Sequence, residues 1–470
     1  MKNITAEKIA LVCNGELHTG KDYDEKREAS CVVIDSRLIE KDGVFVATKG
    51  ARVNGHDYIP EVMKKGALCA VCEETPESDE YTYVLVEDSF AALKAIAKYY
   101  RSCLDVKIVG IIGSVGKTST KELVASVLSG KFNTLKTEGN FNNEVGVPLT
   151  ICRIRDEHEA AVVEMGISDF GEMARLGDIV RPDAVVMTNI GPCHLEKLID
   201  LDGVLRAKTE VFDYMKDDSV LILNNQDAKL SSVRKSGNKK IIYYGKGSSI
   251  YADNTVSHGL AGTEFVLNLY GYSGKARVNL PGEHMVINSL AAAAIAYEWG
   301  LSPEQIIAGI GRAEGLKGRC NIIENKDYVV VDDCYNANPK SMKASIDMMS
   351  YAKGRKVAIL GDMFELGEEE KELHSQIGRY AVNKGIDLLL CVGKLSENMY
   401  AAAMAEAEKI KEANAKAPRA GDEIRIEYFE DKKDLTDRLT GSRSLLNKGD
   451  TILIKASHGM GFDEIVDILA

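Results

Sequence analysis

One stretch decides the fold of this chain: Val106-Lys107-Ile108-Val109-Gly110-Ile111-Ile112-Gly113-Ser114-Val115-Gly116-Lys117-Thr118-Ser119. Its first seven residues show the apolar pattern of a buried strand, and a helical pattern follows the glycine-rich turn as far as Leu128. A turn between a strand and a helix aims backbone N–H groups and the positive helix end at one point, which favours an anion. The stretch therefore predicts a nucleotide phosphate site at 113–119, where Lys117 reaches the terminal phosphates and Thr118 can ligate Mg²⁺.

The loop departs from the strict phosphate-binding motif. The pattern G-x-x-x-x-G-K-[ST] requires glycine at position 111, where this chain has Ile111. The match is the shorter G-x-x-G-K-T, with an additional glycine at Gly110. Taken alone, this loop leaves open an ATPase, a GTPase, a kinase or a structural turn without ligand.

Size and composition limit the class of protein. At roughly 150 residues per domain, a chain of 470 residues predicts about three domains. A hydrophobic fraction of 45% with 28% charged residues is typical of a globular protein, and a net charge of -12 argues against nucleic acid or an anionic membrane as partner. We see no signal peptide, no apolar run of the ~18 residues that a membrane span needs, and ten scattered cysteines. These features predict a cytoplasmic protein with reduced thiols.

Strands alternate with helices in the region around the loop. An apolar strand at 161–164 precedes a helix at 170–176, and a strand at 184–189 precedes a helix near 203–214. This alternation implies a parallel sheet with helices on both faces. From about 240 to 281, short strands punctuated by glycine predict an antiparallel segment. We therefore expect a central phosphate-loop domain at 101–315.

Two further domains are expected on either side of it. Residues 1–100 carry short apolar stretches between turns, which predicts a small mixed α/β domain. Residues 316–470 repeat the strand-then-helix pattern and predict a second doubly wound, Rossmann-like domain. Its candidate strands lie at 328–331, 356–360, 388–392 and 451–455. The expected fold class is α/β with three domains.

Several motifs outside the loop resemble those of a known family. They are Asp35-Ser36-Arg37, Lys49-Gly50, Gly55-His56-Asp57, Thr137-Glu138-Gly139-Asn140-Phe141-Asn142-Asn143, Thr188-Asn189-Ile190-Gly191-Pro192, His194-Leu195-Glu196, Asp332-Asp333-Cys334-Tyr335-Asn336-Ala337-Asn338-Pro339, Gly361-Asp362-Met363 and Glu365-Leu366-Gly367. In these motifs the chain resembles the Mur ligase family, whose members add amino acids to the bacterial peptidoglycan precursor. The resemblance covers nearly all of the chain, in register.

The resemblance implies an ATP-dependent ligase that forms a C–N bond. In the family, the γ-phosphate of ATP moves to a carboxylate of the substrate, and an amine attacks the acyl phosphate through a tetrahedral intermediate. Fixed cations are needed because three anionic parties meet. The segment Tyr335-Asn336-Ala337-Asn338-Pro339 favours the branch whose partners are UDP-N-acetylmuramoyl-tripeptide and D-alanyl-D-alanine, and the family implies a monomer.

The resemblance also implies a catalytic and metal-binding set. Glu164 lies at the carboxyl end of a strand, where open α/β sheets place ligands, and matches a Mg²⁺ ligand that acts beside Thr118. His194 matches a ligand of a second Mg²⁺. Lys208 matches a lysine that CO₂ converts to a carbamate, which replaces a cation with two acceptor oxygens. With Lys117, these residues form the expected catalytic group.

Further residues match binding positions of the family. For ATP these are His284, Asn288, Arg319 and Asp333, in addition to the loop residues Gly113 to Ser119. For the substrates they are Ser36, Arg37, Lys49, Asn140, Asn142, Asn143, Tyr335, Asn336 and Asn338. We expect Ser36 and Arg37 to contact the UDP part. Arg319 and Asp333 lie in the third domain, so closure of that domain should complete the site.

Three positions depart from the family pattern, and two other functions stay open. Met285, Cys334 and His458 stand where asparagine, serine and arginine are commoner. One alternative is another amide ligase of the superfamily, either the ligase that adds the third residue or folylpolyglutamate synthase. The other is a nucleotide-dependent binding protein without catalysis, which would have no use for Glu164, His194 and Lys208 together.

Overall fold

Four sheets follow one another along the chain in the computed structural model, which describes residues 1–50, 53–414, 424–441 and 445–470. Each sheet packs against helices, so the expected α/β class is confirmed. Within the described residues, no helix combines the length and apolar character that crossing a membrane requires.

The N-terminal sheet has five short strands in the order β1-β5-β4-β3-β2, and only β1 runs antiparallel to its neighbour. The elements are α1 (Ala6–Cys13), β1 (Glu16–His18), β2 (Val32–Val33), β3 (Val44–Val46), α2 (Ile59–Lys64), β4 (Cys69–Cys72), β5 (Tyr83–Leu85) and α3 (Ser89–Ser102). Helix α3 begins after Asp88, whose carboxylate accepts the N–H groups of Phe90 and Ala91. It leads from this sheet toward the central one.

The central sheet is wholly parallel, in the order β11-β10-β9-β6-β8-β7. The elements of this region are β6 (Lys107–Ile112), α4 (Lys117–Leu128), β7 (Thr134–Lys136), α5 (Gly146–Cys152), β8 (Ala160–Glu164), α6 (Glu172–Val180), β9 (Ala184–Met187), α7 (Leu195–Leu198), α8 (Leu201–Thr209), β10 (Val220–Asn224), β11 (Lys240–Tyr244), β12 (Ile250–Ser257), β13 (Thr263–Leu269), β14 (Tyr272–Val278), α9 (His284–Glu298) and α10 (Pro303–Gly311). Because β6 lies between β8 and β9, the carboxyl ends of these three strands meet at one edge.

The antiparallel segment expected from about residue 240 starts later than predicted. Strand β11 pairs in parallel with β10 as the edge of the main sheet. Only β12, β13 and β14 form the antiparallel sheet. The apolar alternation of β11 does not by itself distinguish a parallel edge strand from an antiparallel strand.

The C-terminal sheet has the order β15-β16-β20-β17-β18-β19, parallel except for β15. The elements are β15 (Asn321–Glu324), β16 (Tyr328–Asp332), α11 (Pro339–Met349), β17 (Lys356–Gly361), α12 (Glu370–Asn383), β18 (Leu388–Val392), α13 (Ser396–Asn414), β19 (Arg425–Phe429), α14 (Lys432–Thr440), β20 (Asp450–Lys455) and α15 (Asp463–Leu469). The loops after β16, β17 and β20 leave neighbouring strands at the same edge. They face the central region.

The apolar cores divide the chain unequally. One core cluster is continuous from Ile4 in the N-terminal region to Leu230 in the central region. The C-terminal sheet has its own clusters on its two faces, and Leu260 is the central-region residue recorded as packing against one of them. The first two regions therefore share a core, whereas the third is a separate packing unit.

Candidate active site

The phosphate loop joins β6 to α4 and is held by the segment after β9. Gly113 has φ +155°, and a Cβ atom there would lie 1.9 Å from the hydroxyl oxygen of Thr188. Gly116 caps α4 in the left-handed conformation, with φ +82°. The Val115 carbonyl accepts hydrogen bonds from the Thr188 hydroxyl at 2.6 Å and the Asn189 side-chain amide at 2.8 Å. Protein contacts alone therefore fix the shape of the loop.

Lys117 folds its side chain back over this loop. Its Nζ donates hydrogen bonds to the carbonyl of Gly113 at 2.9 Å and approaches that of Ser114 at 3.5 Å. Burial lowers the pKa of Lys117, and the carboxylate of Glu164 partly opposes this effect. No ion pair of Lys117 is recorded within the described part of the chain. Its ammonium is therefore available to a phosphate that enters the loop.

Glu164 ends β8 directly beside the loop and has a carboxylate oxygen that no protein group satisfies. Its Oε1 accepts hydrogen bonds from the side-chain amide of Asn142 at 2.8 Å and the hydroxyl of Thr118 at 3.2 Å. Its Oε2 is buried and has no hydrogen-bond partner among the described residues. A buried carboxylate oxygen without a partner is costly. This donor set of a carboxylate and a hydroxyl therefore fits Mg²⁺, which prefers oxygen ligands.

His194 faces the C-terminal region across the cleft. Its Nδ1 lies 3.1 Å from Oε2 of Glu365, which follows β17. Burial lowers the pKa of His194, and Glu365 partly opposes this effect. The imidazole is thus favoured in its neutral form, the form in which a ring nitrogen can bind a metal.

Lys208 lies on α8 behind the loop and is 1% exposed. Burial, followed by the charge of Lys117, lowers the pKa of Lys208 to about 8. Within the described residues, no carboxylate forms an ion pair with it. A buried ammonium without an anionic partner is unfavourable, so the amine is readily deprotonated there.

The C-terminal region contributes a cation and an aromatic ring to the cleft. The guanidinium of Arg319 lies over the ring of Tyr335, with 4.1 Å between its central carbon and the ring centroid. The ring of Tyr335 also contacts that of His458, at a centroid distance of 5.2 Å. His458 therefore stacks at the cavity wall, in the position where the sequence pattern favours arginine.

Asp333 is held inside the C-terminal region rather than pointing freely into the cleft. Its carboxylate accepts hydrogen bonds from Lys455 Nζ at 2.5 Å, the Ser345 hydroxyl at 2.6 Å and the Cys320 N–H at 3.1 Å. Burial acts to raise the pKa of Asp333, but Lys455 and Ser345 outweigh it, so the pKa is lowered. Its predicted role at the ribose stays a prediction.

His284 and Asn288 both lie on α9, which begins next to the phosphate loop. Asn288 is buried, and a Cβ atom at Gly116 would lie 3.5 Å from its Oδ1. Burial lowers the pKa of His284, while Asp333 across the cleft acts to raise it. Met285, where the pattern favours asparagine, is 2% exposed and packs in the central core.

A cavity of about 590 Å³ brings most of the predicted residues together between the central and C-terminal regions. Predicted residues in its lining are Ser114, Val115, Gly116, Lys117, Thr118, Asn140, Asn142, Asn143, Glu164, His194, Arg319, Tyr335, Asn336 and Asn338. A second cavity of about 260 Å³ adjoins it, and His194 and Glu365 line both. The lining of the larger cavity does not include Gly113, Ser119, Lys208, His284, Asn288 or Asp333.

The three predicted residues of the N-terminal region are not part of this lining. Arg37 is largely exposed, and its side chain pairs with Asp35 at 2.6 Å. Lys49 pairs with Glu74 at 2.8 Å, and Ser36 is buried. The predicted contacts of Ser36 and Arg37 with the UDP part, and of Lys49 with the substrate, stay predictions.

Sequence reasoning missed two residues that shape the cleft. Lys455, at the end of β20, is 2% exposed. Its Nζ donates hydrogen bonds to the Asp333 carboxylate and the Asn336 carbonyl, and it thereby holds the loop after β16 against β20. Glu365 partners His194. A lysine at the end of the apolar run Thr451-Ile452-Leu453-Ile454 was a usable signal, because a buried lysine needs an anionic partner. Glu365 stands in a motif that resembles the family, but nothing in the sequence indicates its contact with His194, since it stands among other exposed acids.

The fold and the site together define a protein of three α/β units, with a site for nucleotide phosphates in the cleft between the second and third. Family models match the chain as the Mur ligase family catalytic domain at 28–101, the Mur ligase middle domain at 111–296 and the Mur ligase glutamate ligase domain at 318–458. The chain belongs to the Mur ligase family. It is an ATP-dependent ligase that forms a C–N bond.

Individual relatives match over nearly the full length. The chain is 33% identical to the UDP-N-acetylmuramoyl-tripeptide–D-alanyl-D-alanine ligase of Bacillus subtilis, over 98% of this chain and 97% of that one. A crystal structure of MurF from Acinetobacter baumannii is 30% identical with a TM-score of 0.83, covering 99% and 98% of the two chains. MurF from Thermotoga maritima in complex with ADP is 27% identical with a TM-score of 0.77, covering 93% and 96%.

Proposed function

We propose that the chain uses ATP to join D-alanyl-D-alanine to UDP-N-acetylmuramoyl-tripeptide, which yields a UDP-muramoyl-pentapeptide for peptidoglycan synthesis. The observation that carries this proposal is the 590 Å³ cavity, where the phosphate loop, the unpartnered oxygen of Glu164 and Arg319 meet. The name of the similar ligase of Bacillus subtilis supports the two substrates. The proposed setting is the cytoplasm, and the proposed active form is a monomer.

Each region has a distinct proposed role. Residues 1–100 bind the UDP-sugar part through Ser36, Arg37 and Lys49. Residues 101–315 bind ATP, and residues 316–470 close on it and admit the dipeptide. Arg319 and Tyr335 in the cavity lining support the role of the third region.

The first chemical step is transfer of the γ-phosphoryl group to the terminal carboxylate of the tripeptide. A carboxylate oxygen attacks the γ-phosphorus, the bond from that phosphorus to the β-bridging oxygen breaks, and ADP leaves. Lys117 and Arg319 offset the negative charge of the meeting anions, since both cations line the cavity and neither forms a direct ion pair with a carboxylate of the described residues. The N–H groups at the start of α4 hold the phosphates in line.

The second step forms the amide bond. The amine of D-alanyl-D-alanine attacks the acyl carbon, the carbon–oxygen bond to phosphate breaks, and the nitrogen loses a proton. The side chains of Asn336, Asn338 and His458 lie where both cavities meet, so they are placed to orient the dipeptide. Closing the cleft also excludes water, which would hydrolyse the acyl phosphate.

Two Mg²⁺ sites are proposed on the chain's own ligands. Thr118 and Glu164 would hold one, and His194 with a carbamylated Lys208 the other. Mg²⁺ neutralises charge on phosphate oxygens when bound. The described residues contain no group of three or more His, Cys, Asp or Glu side chains that could hold a metal alone. Mg²⁺ is usually bound by one or two carboxylates together with phosphate groups of the substrate, so a site with few protein ligands agrees with its usual binding.

The carbamate is supported by the environment of Lys208. Carbamate formation needs a neutral amine, which attacks the carbon of CO₂ and then releases a proton. With its pKa lowered to about 8 by burial, Lys208 offers that amine near neutral pH. The resulting anion would also lie near the ammonium of Lys117, whose charge acts on Lys208.

The proposal is tested by phosphate release from ATP in the presence of UDP-N-acetylmuramoyl-tripeptide. The amine is varied among D-alanyl-D-alanine, diaminopimelate, lysine and none. Release that depends on D-alanyl-D-alanine supports the proposal. Release that ignores the dipeptide contradicts it, and dependence on diaminopimelate or lysine would indicate the ligase that adds the third residue.

A further inference from the structure

Two residues in an uncommon backbone conformation face each other across the cleft. His194 has φ +51° and Glu365 has φ +61°, and neither is glycine. Non-glycine residues adopt this conformation rarely, and they keep it only where the surrounding structure holds them there. Their side chains meet at 3.1 Å, from different regions of the chain. The strained backbone on both sides thus coincides with a contact between the regions.

The loop that carries Glu365 is fixed immediately before that residue. The N–H of Met363 donates to Nε2 of His374 at 2.9 Å, and the N–H of Phe364 donates to the Ser457 hydroxyl at 2.9 Å. Burial lowers the pKa of His374, which is fully buried. The Glu365 carboxylate therefore extends from a rigid support rather than from a free loop.

The segment that carries His194 is joined to the phosphate loop. The N–H of Gly191 donates to the hydroxyl of Ser114 at 3.0 Å, and the same hydroxyl donates to the Gly191 carbonyl at 3.0 Å. The thiol of Cys193 lies 3.3 Å from this hydroxyl oxygen. The His194–Glu365 pair therefore connects the phosphate loop to the C-terminal region.

We propose that Glu365 is a positioning residue for His194. Its carboxylate fixes the orientation of the His194 imidazole only when the C-terminal region closes. This inference rests on the proposed function, because His194 is there a ligand of the second Mg²⁺. A carboxylate that accepts from Nδ1 holds the proton on that nitrogen and leaves the lone pair on Nε2 for the metal, an arrangement common around metal-binding histidines. The 3.1 Å separation places the Glu365 carboxylate within reach of Nδ1 for this role. Closure and the second metal site are then coupled.

A role in stability alone does not explain the pair. The Glu365 side chain is 69% exposed and that of His194 is 30% exposed. Ion pairs this exposed contribute little to folding, because solvent screens them. The pair also lines both cavities, so it stands between the proposed sites of ATP and of the dipeptide.

The test compares Glu365→Ala and Glu365→Gln with the control Glu368→Ala. Glu368 is an exposed acid of the same loop region for which no contact is recorded within the described residues. Mn²⁺ binding is measured by electron paramagnetic resonance on the full chain with a non-hydrolysable ATP analogue and UDP-tripeptide. We expect Glu365→Ala to weaken the second Mn²⁺ about 10- to 100-fold and to lower kcat by a similar factor. Glu365→Gln, which keeps an acceptor oxygen, should lie between it and the wild type.

Three results of these Mn²⁺-binding and stability measurements would contradict the role of Glu365. The inference would be overturned if Glu365→Ala bound the second Mn²⁺ with the same affinity as Glu368→Ala. It would also be overturned if the wild-type protein bound only one Mn²⁺. A lower melting temperature without a change in Mn²⁺ binding would also overturn it, since that outcome indicates a structural role. If the wild type showed no turnover that depends on D-alanyl-D-alanine, the proposed function would fail, while the Mn²⁺ titration would still decide the role of Glu365.

Discussion

The Glu164 carboxylate has opposite effects on function and on stability: an oxygen that is free to bind a metal has no protein partner in the described part of the ligand-free fold. Its buried Oε2 has no partner among the described residues, which disfavours the ligand-free fold. We predict that Glu164→Gln changes the free energy of unfolding by no more than about 1 kcal/mol, because glutamine keeps an acceptor for Asn142 and Thr118 and replaces an oxygen that has no hydrogen-bond partner. Turnover should fall at least ~100-fold, as the loss of a group that stabilises transition-state charge does.

Differential scanning fluorimetry and phosphate release check this prediction together. The control is Glu87→Gln, an exposed carboxylate, which should change neither quantity. A destabilised Glu164→Gln protein that kept its turnover would show that Glu164 is a structural residue only.

The lowered pKa of Lys208 predicts that the amount of carbamate on this residue increases with pH. Burial lowers its pKa to about 8 from the usual value near 10.5, so it is mainly ammonium below pH 8 and mainly neutral amine above. At fixed CO₂ pressure, carbamate should therefore increase as pH rises through about 8. Because its formation also releases a proton, it should continue to increase above that pH until the lysine is fully carbamylated. Carbon-13 NMR with labelled CO₂ measures it, and the signal should be absent in Lys208→Ala.

A matched activity measurement separates the carbamate from a structural lysine. Lys208→Ala should lose turnover and regain part of it when a short-chain carboxylate is added. Unchanged turnover in Lys208→Ala would end the carbamate assignment.

The sequence identified the types of the site residues better than their contacts. Thr118, Glu164 and Asn142 were predicted, and Thr118 and Asn142 both donate hydrogen bonds to Glu164. The partner of His194 was not predicted, because Glu365 lies in the loop after β17, which is distant in sequence, and stands among other acids. Asp333 was predicted as a nucleotide contact, yet its carboxylate accepts a hydrogen bond from Lys455. The apolar run before Lys455 signals a buried lysine but not the carboxylate with which it pairs.

Among the elements, the neighbouring strands β16 and β20 are joined at their carboxyl ends by a buried ion pair between Asp333, which follows β16, and Lys455. Lys455 and Asp333 are 2% and 8% exposed at their side chains and lie 2.5 Å apart. Removing one partner of a buried pair leaves an uncompensated charge, so Lys455→Met should lower the free energy of unfolding by about 3 to 5 kcal/mol. Urea unfolding at pH 7 measures this change.

The exposed pair Lys448–Asp327 provides the control for that measurement. Lys448→Met should cost less than about 1 kcal/mol. Because the pKa of Asp333 is lowered, its contribution is present above its unfolded pKa and is lost as pH falls below about 3.8. Equal effects of both substitutions would contradict the importance of the buried pair.

The elements themselves were predictable where apolar runs are long. The strands β6, β8, β17, β18 and β20 all coincide with runs found in the sequence. Strands β1 and β5 have three residues each, too few to show a period, and β19 is only partly buried, so its apolar pattern is weak. The parallel pairing of β11 was missed because pairing direction depends on distant chain segments.

For the whole molecule, the apolar core shared by the N-terminal and central regions predicts that the C-terminal region is the part that moves on ligand binding. The N-terminal and central regions share one apolar core and several polar contacts, including Arg101 to the carbonyl of Val180 at 2.8 Å. The C-terminal region has separate cores. We predict that substrates with a non-hydrolysable ATP analogue bring the C-terminal region closer while the first two regions keep their separation.

Two pairs of fluorescent labels measure this motion by energy transfer. The pair between central and C-terminal regions should change its transfer efficiency on ligand addition, and the pair between N-terminal and central regions should not. Small-angle scattering should show a more compact particle. Unchanged compactness and transfer in a fully active protein would contradict closure.

The central claim is that the ATP held at 113–118 activates a carboxylate for attack by D-alanyl-D-alanine. It is tested most directly with UDP-N-acetylmuramoyl-tripeptide whose terminal carboxylate carries oxygen-18 at both positions. An acyl phosphate requires that one labelled oxygen leave with inorganic phosphate and that the other stay in the new amide, both visible by mass spectrometry. The account predicts this distribution, only when D-alanyl-D-alanine is present. Phosphate without label, or product that keeps both labelled oxygens, would contradict it.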